Sequence, residues 1–250
     1  MKSHWVFAAI FFAALVVAPL RAQDDMSYAT MGHTTMQPLQ IDVSKVLNAR
    51  VVTTLTEGKV VPFDQGVDDY GGVATRQAAV AMKNASAPSV PDDGKFPAAG
   101  THPEVTLHFS NDDGKNPQVR RSASGADDDY AFDVPARKYF LMQLFFTAGG
   151  GGPSVPVKVV LTYQDGTTDE RDLMAPDWYR NLDPAKDKDW YLLGANLSKW
   201  GRTKVMEWNH HNIDGVELHP DFNKVLTRIA VHKSKGVVVF WGATGVPISL

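Results

Sequence analysis

The 250-residue chain contains no cysteine. Disulfide bridges, thiolate metal sites and cysteine nucleophiles are therefore excluded, and outside the cytoplasm the domain would depend on its apolar core alone for stability. An excess of positive charge is also missing, because 25 Lys and Arg residues stand against 28 Asp and Glu residues. Since there is no run of Lys or Arg either, the charge pattern gives no electrostatic reason to expect nucleic acid as a partner.

The best-marked catalytic motifs are missing as well. The sequence has no Gly-x-Ser-x-Gly, His-Glu-x-x-His or phosphate-loop motif, so the enzyme classes that these motifs indicate have no support. Many Asp and Glu residues are present, but no context marks two of them as the carboxylate pair that glycoside hydrolysis needs.

The N-terminal segment has the pattern of an export signal. Lys2 and His4 precede an apolar run that ends at Leu20 and is short for a membrane span. We therefore expect residues 1–22 to form a signal peptide that is cleaved after Ala22. The mature protein would then be secreted or periplasmic, with no stable membrane insertion. An uncleaved N-terminal anchor is the alternative.

Residues 23–45 are polar and show no period, which predicts a flexible linker. The linker contains side chains that soft metals accept as ligands, namely Met26, Met31, Met36 and His33. Incidental methionines in a mobile tail are the simpler interpretation. Residues 46–250 are long enough for one large β domain.

The most regular pattern lies between residues 139 and 179. The stretch YFLMQLFF is apolar apart from Gln143, which predicts a central strand covered on both faces. A strand with alternating apolar residues follows, and Asp165-Gly166 is expected to supply the positive φ angles of a two-residue hairpin turn. Short strands separated by Gly and Asp turns predict an all-β fold, an antiparallel β-sandwich with jelly-roll topology.

Two segments lack this regularity. Residues 73–104 are rich in Ala, Ser, Pro and Asp, and the stretch PSVPDDGKFPAAGTHP within them is expected to form a long surface loop. Residues 180–204 are mixed in composition and place Trp190 and Trp200 in a loop-like setting.

A family pattern spans roughly residues 46–250. The stretches that carry it are PFDQGVDD, YGG, AFDVPARKYFLMQLFFTAGG, VKVVLTYQDGT, APDWY, KVLTRIAVHK and GVVVFWGATGV. Their order resembles the galactose-binding-domain-like β-sandwiches, the jelly rolls found as accessory domains in secreted glycoside hydrolases. The resemblance implies carbohydrate binding by loops at one end or on one face of the sandwich, and it transfers no individual site residue. No catalytic domain is attached here, so a free-standing module is expected.

Aromatic and imidazole side chains outside the two most regular strands are the candidate ligand-binding residues. The apolar face of a pyranose packs on an indole or phenol ring, while carboxylates and amides bind the hydroxyl groups. The candidates are Trp190, Trp200, Tyr179, His210 and His211. Core packing is the alternative for the two tryptophans. Adjacent strand residues point to opposite faces, so the two histidines are expected to have surface or packing roles unless the strand bends.

An acidic loop precedes Tyr70-Gly71-Gly72. Its carboxylates, Asp64, Asp68 and Asp69, are of the type that binds calcium when several converge, so a structural calcium ion is one hypothesis for this loop. Capping of turns by the same side chains is the other, and the favoured, interpretation.

Taken together, these patterns favour a secreted, non-catalytic carbohydrate-binding module. A secreted polysaccharide hydrolase or lyase is the first alternative, and it would hold Glu207, His210 or His219 in a deep pocket. A structural or protein-interaction module of the cell surface is the second, and it would show an exposed apolar patch.

Overall fold

The structure, a computed structural model, describes residues 38–68, 70–100, 102–107, 119–121, 129–150 and 152–248, with the backbone alone for residues 119–121. The predicted signal peptide and Asp69 lie outside these residues. Within them the chain forms fifteen strands and one short α-helix. None of the described helices has the length and apolar character needed to cross a bilayer.

The central sheet has six strands. They are β1 (Leu39–Gln40), β7 (Val119–Arg121), β9 (Tyr139–Gly149), β12 (Trp190–Trp200), β13 (Val205–Leu218) and β15 (Val237–Pro247). Their order is β1-β15-β9-β13-β12, and β7 pairs with β15 beside this path. All of these pairings are antiparallel.

The outer sheet has four antiparallel strands in the order β11-β10-β14-β8. Their bounds are β8 (Tyr130–Arg137), β10 (Ser154–Tyr163), β11 (Thr168–Pro176) and β14 (Leu226–Lys233). The chain passes repeatedly from one sheet to the other, as from β8 to β9 to β10, which is the wrapping of jelly-roll folds. The predicted all-β antiparallel sandwich is confirmed.

An N-terminal layer covers the other face of the central sheet. It contains β2 (Val52–Thr56), β3 (Lys59–Val61), β4 (Val73–Ala74), α1 (Arg76–Ala81), β5 (Lys95–Phe96) and β6 (Val105–Thr106). A 3-10 turn at Ser44–Val46 precedes it. The Thr75 side chain caps α1 by accepting a hydrogen bond from the Ala78 amide.

Strand β9 contributes to the cores on both sides of the central sheet. Successive side chains of a strand point to opposite faces, so Phe146 packs toward the outer sheet and Phe145 toward the N-terminal layer. The Phe146 ring lies 5.5 Å from Phe240, which in turn lies 5.3 Å from Phe132 of the outer sheet. The prediction that β9 is a central strand covered on both faces is confirmed.

The β10–β11 hairpin also forms as predicted, but its turn differs in detail. The Gly166 amide donates to the Tyr163 carbonyl oxygen, and the Tyr163 amide donates to the Thr167 carbonyl oxygen. Among the residues of this turn, only Gly166 has a positive φ, of 82°. The connection is therefore a turn with a glycine bulge, longer than the two-residue turn expected from Asp165-Gly166.

Three segment boundaries differ from the sequence predictions. Leu39–Gln40 forms β1 within the predicted linker, and the neighbouring Ile41 is buried in the core, so the fold begins before residue 46. Residues 73–104 contain α1 and several buried side chains, among them Phe96. Residues 190–200 form strand β12, which pairs with β13. A series of bulges along this pairing obscures the alternation of side chains in the sequence.

Two buried aspartates have opposite electrostatic environments. Both Asp214 carboxyl oxygens lack a hydrogen-bond partner among the described residues. Burial raises the pKa of Asp214 well above its ordinary value, against the pull of the Arg180 charge. Asp187 instead accepts two hydrogen bonds from the Arg180 guanidinium, at 2.7 and 2.8 Å, and these lower its pKa. Folding therefore favours the protonated form of Asp214 and the ionised form of Asp187.

We predict opposite pH dependences for Asp214→Asn and Asp187→Asn. At pH values between the unfolded pKa of about 3.9 and the higher native pKa, Asp214 keeps its proton in the native protein but loses it in the unfolded chain. Stability therefore falls by up to about 1.4 kcal/mol per pH unit until the native pKa is reached. Asp214→Asn removes this loss, so its free energy of unfolding relative to wild type should increase from pH 4 to pH 7.

Asp187→Asn is the control of opposite sign. The depressed native pKa of Asp187 adds stability above the unfolded value, and this stability disappears as pH falls through the native pKa. The variant should lose about 1–3 kcal/mol near neutral pH and less in acid. Urea unfolding at several pH values measures both differences. An Asp214→Asn profile parallel to that of wild type would contradict the first prediction.

Candidate functional site

A polar cluster with a solvent-facing side lies where the N-terminal layer meets the edge of the central sheet. It combines residues from four places in the chain: the 64–72 loop, the segment after β11, β12 and β13. We define the Lys199 site by these residues: Asp68, Tyr179, Lys199, Glu207 and His211. Side chains that are far apart in sequence thus form one cluster because these four segments of the chain converge there.

The 64–72 loop positions Asp68 through its own backbone. The Val67 amide donates to the Gly71 carbonyl oxygen at 2.6 Å, and the Gly71 amide donates to Asp68 Oδ1 at 3.0 Å. Gly72 and Trp200 exchange two backbone hydrogen bonds of 2.9 Å, which attach the loop to β12. A Cβ atom on Gly71 would lie 2.5 Å from Lys199 Cγ. Only glycine at this position therefore leaves room for the lysine stem.

Lys199 is the charged centre of the site. Its side chain is only 6% exposed, and its Nζ donates to Asp68 Oδ2 at 2.6 Å and to the Tyr179 hydroxyl oxygen at 2.8 Å. Glu207 Oε1 lies 3.6 Å from the same Nζ. Burial alone would lower the pKa of Lys199, but the hydrogen bonds and the negative charge of Asp68 raise it overall. Lys199 is therefore an ammonium ion at any physiological pH.

Tyr179 forms the exposed aromatic surface of the site. Its ring is packed against His211, with 4.4 Å between centroids, and against Trp178, with 5.6 Å. The Tyr179 amide donates to Asp177 Oδ1, and the hydroxyl lies 3.5 Å from Glu207 Oε1. Burial raises the pKa of Tyr179, so its hydroxyl stays protonated. The residue nevertheless remains 43% exposed, so one part of a firmly held ring faces solvent.

His211 is fully buried beneath Glu207. Its Nδ1 lies 3.3 Å from the Leu197 carbonyl oxygen, which can only accept, so Nδ1 carries the proton in the neutral ring. Nε2 is then an acceptor. It has no hydrogen-bond partner among the described residues, although Glu207 Oε2 lies 3.7 Å away. Burial lowers the pKa of His211, with the Leu197 and Asn209 carbonyls opposing the shift, so the ring is neutral at pH 7.

Two left-handed residues explain why the adjacent histidines differ. Asn209 and His210 have φ angles of 63° and 71°, which bend β13 before it enters the core. Residues 206–210 are exposed, and the strand is buried from His211 onward. His210 therefore faces solvent, whereas His211 is buried within the site.

The other sequence-predicted aromatic residues lie elsewhere. Trp200 is fully buried in a cluster with small side chains, including Ala74 and Ala78, because α1 packs over it. The expectation that Trp200 is a ligand-binding loop residue is therefore wrong, since a buried ring cannot stack on a glycan. Trp190 is half-buried at the start of β12 and packs 6.1 Å from Phe146. Its role in ligand binding stays a prediction.

The described carboxylates of the predicted acidic loop accept hydrogen bonds from groups within the protein. Asp64 Oδ1 accepts a hydrogen bond from the Arg50 amide, and both Asp68 oxygens are hydrogen-bonded as described above. Asp69 lies outside the described residues, within which no three Asp, Glu or His side chains form a metal-binding group. Calcium binding stays a prediction.

The residues named for the enzyme alternative do not lie together. His219 is exposed near Phe140 at the other end of β13, away from Glu207.

Sequence reasoning missed Lys199, the residue around which the site forms. The available signal was a lysine between Ser198 and Trp200, at a position where the strand is buried. A buried lysine needs a partner, but its partner is separated from it by 131 residues, which no local pattern reveals.

Comparisons with known proteins do not assign this site. No protein-family model and no curated protein matches the sequence. Among solved structures, the catalytic unit of a thermostable GH87 alpha-1,3-glucanase from Streptomyces thermodiastaticus strain HF3-3 is 16% identical over 52% of this chain and 20% of that chain, with a TM-score of 0.29. The infectious bursal disease virus Gt strain structure is 12% identical over 62% and 42% of the two chains, with a TM-score of 0.17.

Neither likeness is close enough to support an argument about function. This chain spans a fifth of the length of the glucanase unit and less than half of the viral chain. The all-β sandwich is established by the strand pairings themselves. The galactose-binding-domain-like family stays a prediction.

We predict that Lys199→Met and Lys158→Met differ strongly in stability. Lys199→Met removes the partner of a largely buried carboxylate and should lower the free energy of unfolding by about 3–5 kcal/mol. Lys158 makes a 2.8 Å ion pair with Glu170, but both side chains are well exposed, so Lys158→Met should change stability by about 0–1 kcal/mol. Denaturant unfolding at pH 7 measures both, and equal effects would show that the Lys199 pair is not desolvated.

Proposed function

We propose that the Lys199 site binds carbohydrate and that the protein is a carbohydrate-binding module without catalytic turnover. The observation that carries this proposal is the exposed Tyr179 ring, which borders a cluster of polar side chains. An aromatic surface beside hydrogen-bonding groups matches the two kinds of surface that a pyranose presents. In this proposal the protein acts outside the cytoplasm, after removal of residues 1–22.

The contacts that immobilise Tyr179 support a role in carbohydrate recognition. Its ring is packed on Trp178 and His211, and its hydroxyl oxygen accepts a hydrogen bond from Lys199. A side chain that is already immobile loses little conformational entropy when a ligand stacks on it. Glu207 is 48% exposed, so its carboxylate is available to accept hydrogen bonds from sugar hydroxyls at the edge of the ring.

We expect Tyr179→Ala to weaken glycan binding about tenfold or more, which corresponds to about 1.4 kcal/mol, because the stacking surface is lost. Tyr179→Phe keeps the ring and should retain more affinity than Tyr179→Ala. The control is Phe222→Ala, which removes an aromatic ring of 62% exposure from the segment between β13 and β14 and should leave binding unchanged. A glycan array, followed by titration with the best-bound oligosaccharide, measures all four proteins.

The same preparations distinguish the proposal from its alternatives. Equal binding by wild type and Tyr179→Ala would place the ligand elsewhere on the protein. Absence of binding to any glycan, combined with release of reducing ends from a polysaccharide, would replace the module by a hydrolase. Release of products with a new ultraviolet absorbance, from the carbon–carbon double bond of an unsaturated uronic acid, would instead indicate a lyase.

A further inference from the structure

We infer that the Lys199 site selects neutral sugars, which donate hydroxyl hydrogens, and discriminates against sugars that carry a carboxylate. This inference rests on the proposed function and names the class of carbohydrate that the same site would take. It follows from two independent features: an unpartnered buried acceptor next to a carboxylate, and the distribution of charge between the interior and the exposed edge of the site.

The first feature is a pair of acceptors with no donor between them. His211 Nε2 is buried and unprotonated, has no hydrogen-bond partner among the described residues, and lies 3.7 Å from Glu207 Oε2. Two acceptors at this distance disfavour each other, and an unpaired buried acceptor destabilises the native state. A group that donates hydrogen to Glu207 Oε2, the half-exposed member of the pair, relieves the repulsion between the two acceptors. Hydroxyl groups of a sugar are such donors, whereas a carboxylate would bring a third acceptor to the same place.

The second feature is the position of the positive charge. Lys199 is buried and pairs with Asp68 at 2.6 Å, so its charge is compensated within the protein. Glu207 is the half-exposed charged group of the site, 3.6 Å from Lys199 Nζ on the solvent side of this pair. One ammonium and two carboxylates give the three groups a net charge of −1. An incoming anion therefore meets the Glu207 carboxylate, with no exposed cation in the site to bind it.

The test uses pairs of oligosaccharides that differ only at C6, where one member has a hydroxymethyl group and the other a carboxylate. Suitable pairs are glucose and glucuronate, galactose and galacturonate, and mannose and mannuronate oligomers of equal length. Affinities are measured at low ionic strength for wild type, Glu207→Gln and Glu170→Gln. Glu170 is an exposed acid of the outer sheet, so its substitution makes the same change of charge outside the site.

We expect wild type to bind the neutral member of its best pair at least tenfold more tightly than the acidic member. Glu207→Gln should reduce this ratio severalfold, mainly by strengthening binding of the acidic member, while Glu170→Gln should leave the ratio unchanged. Raising the salt concentration to 1 M shortens the Debye length to about 3 Å, so the wild-type ratio should also decrease.

Each contrary result has a separate meaning. If wild type binds the acidic member as tightly as the neutral one, or if Glu207→Gln leaves the ratio unchanged, the inference about selectivity is overturned while carbohydrate binding stands. If wild type binds no member of any pair, and no other glycan on the array, the proposed function itself is overturned and the selectivity inference is overturned with it.

Discussion

The central sheet is apolar on both faces, and the rest of the structure depends on covering both of them. Strand β9 directs Phe146 and Phe145 to opposite sides, and β15 does the same with Phe240 and Trp241. The outer sheet covers one side, and the N-terminal layer covers the other. Because the N-terminal layer must reach β12 to complete this cover, its 64–72 loop is attached to Trp200 and brings Asp68 to Lys199.

Lys199 and Asp68 form an ion pair in a largely buried part of the protein. Removing two charges from water is costly, and a buried ion pair is often no more stable than a well-packed apolar replacement. What the pair provides is geometry, since Lys199 also binds the Tyr179 hydroxyl and lies near Glu207. The ion pair thereby fixes an aromatic ring and a carboxylate in a defined arrangement at the protein surface.

Sequence patterns predicted the parts of the fold in which neighbouring residues alternate regularly. The β10–β11 hairpin and the doubly covered β9 are of this kind, because their periodicity reflects burial directly. Strand β12 has no clear sequence pattern because its bulges break the alternation, and the burial of Trp200 is hidden for the same reason. Residue type alone indicates Tyr179 and His211 as candidates. It does not indicate their partner Lys199, because the contacts of Lys199 join residues that are distant in the chain.

In the proposed function, the composite origin of the Lys199 site links ligand recognition to folding. Asp68 belongs to the N-terminal layer, whereas Tyr179, Lys199 and Glu207 belong to the sandwich. A ligand that binds only when all four are in place binds only the conformation in which the layer is docked. By mass action it then stabilises that conformation against local opening. Ligand binding at the site and docking of the N-terminal layer are thus thermodynamically coupled, so that each favours the other.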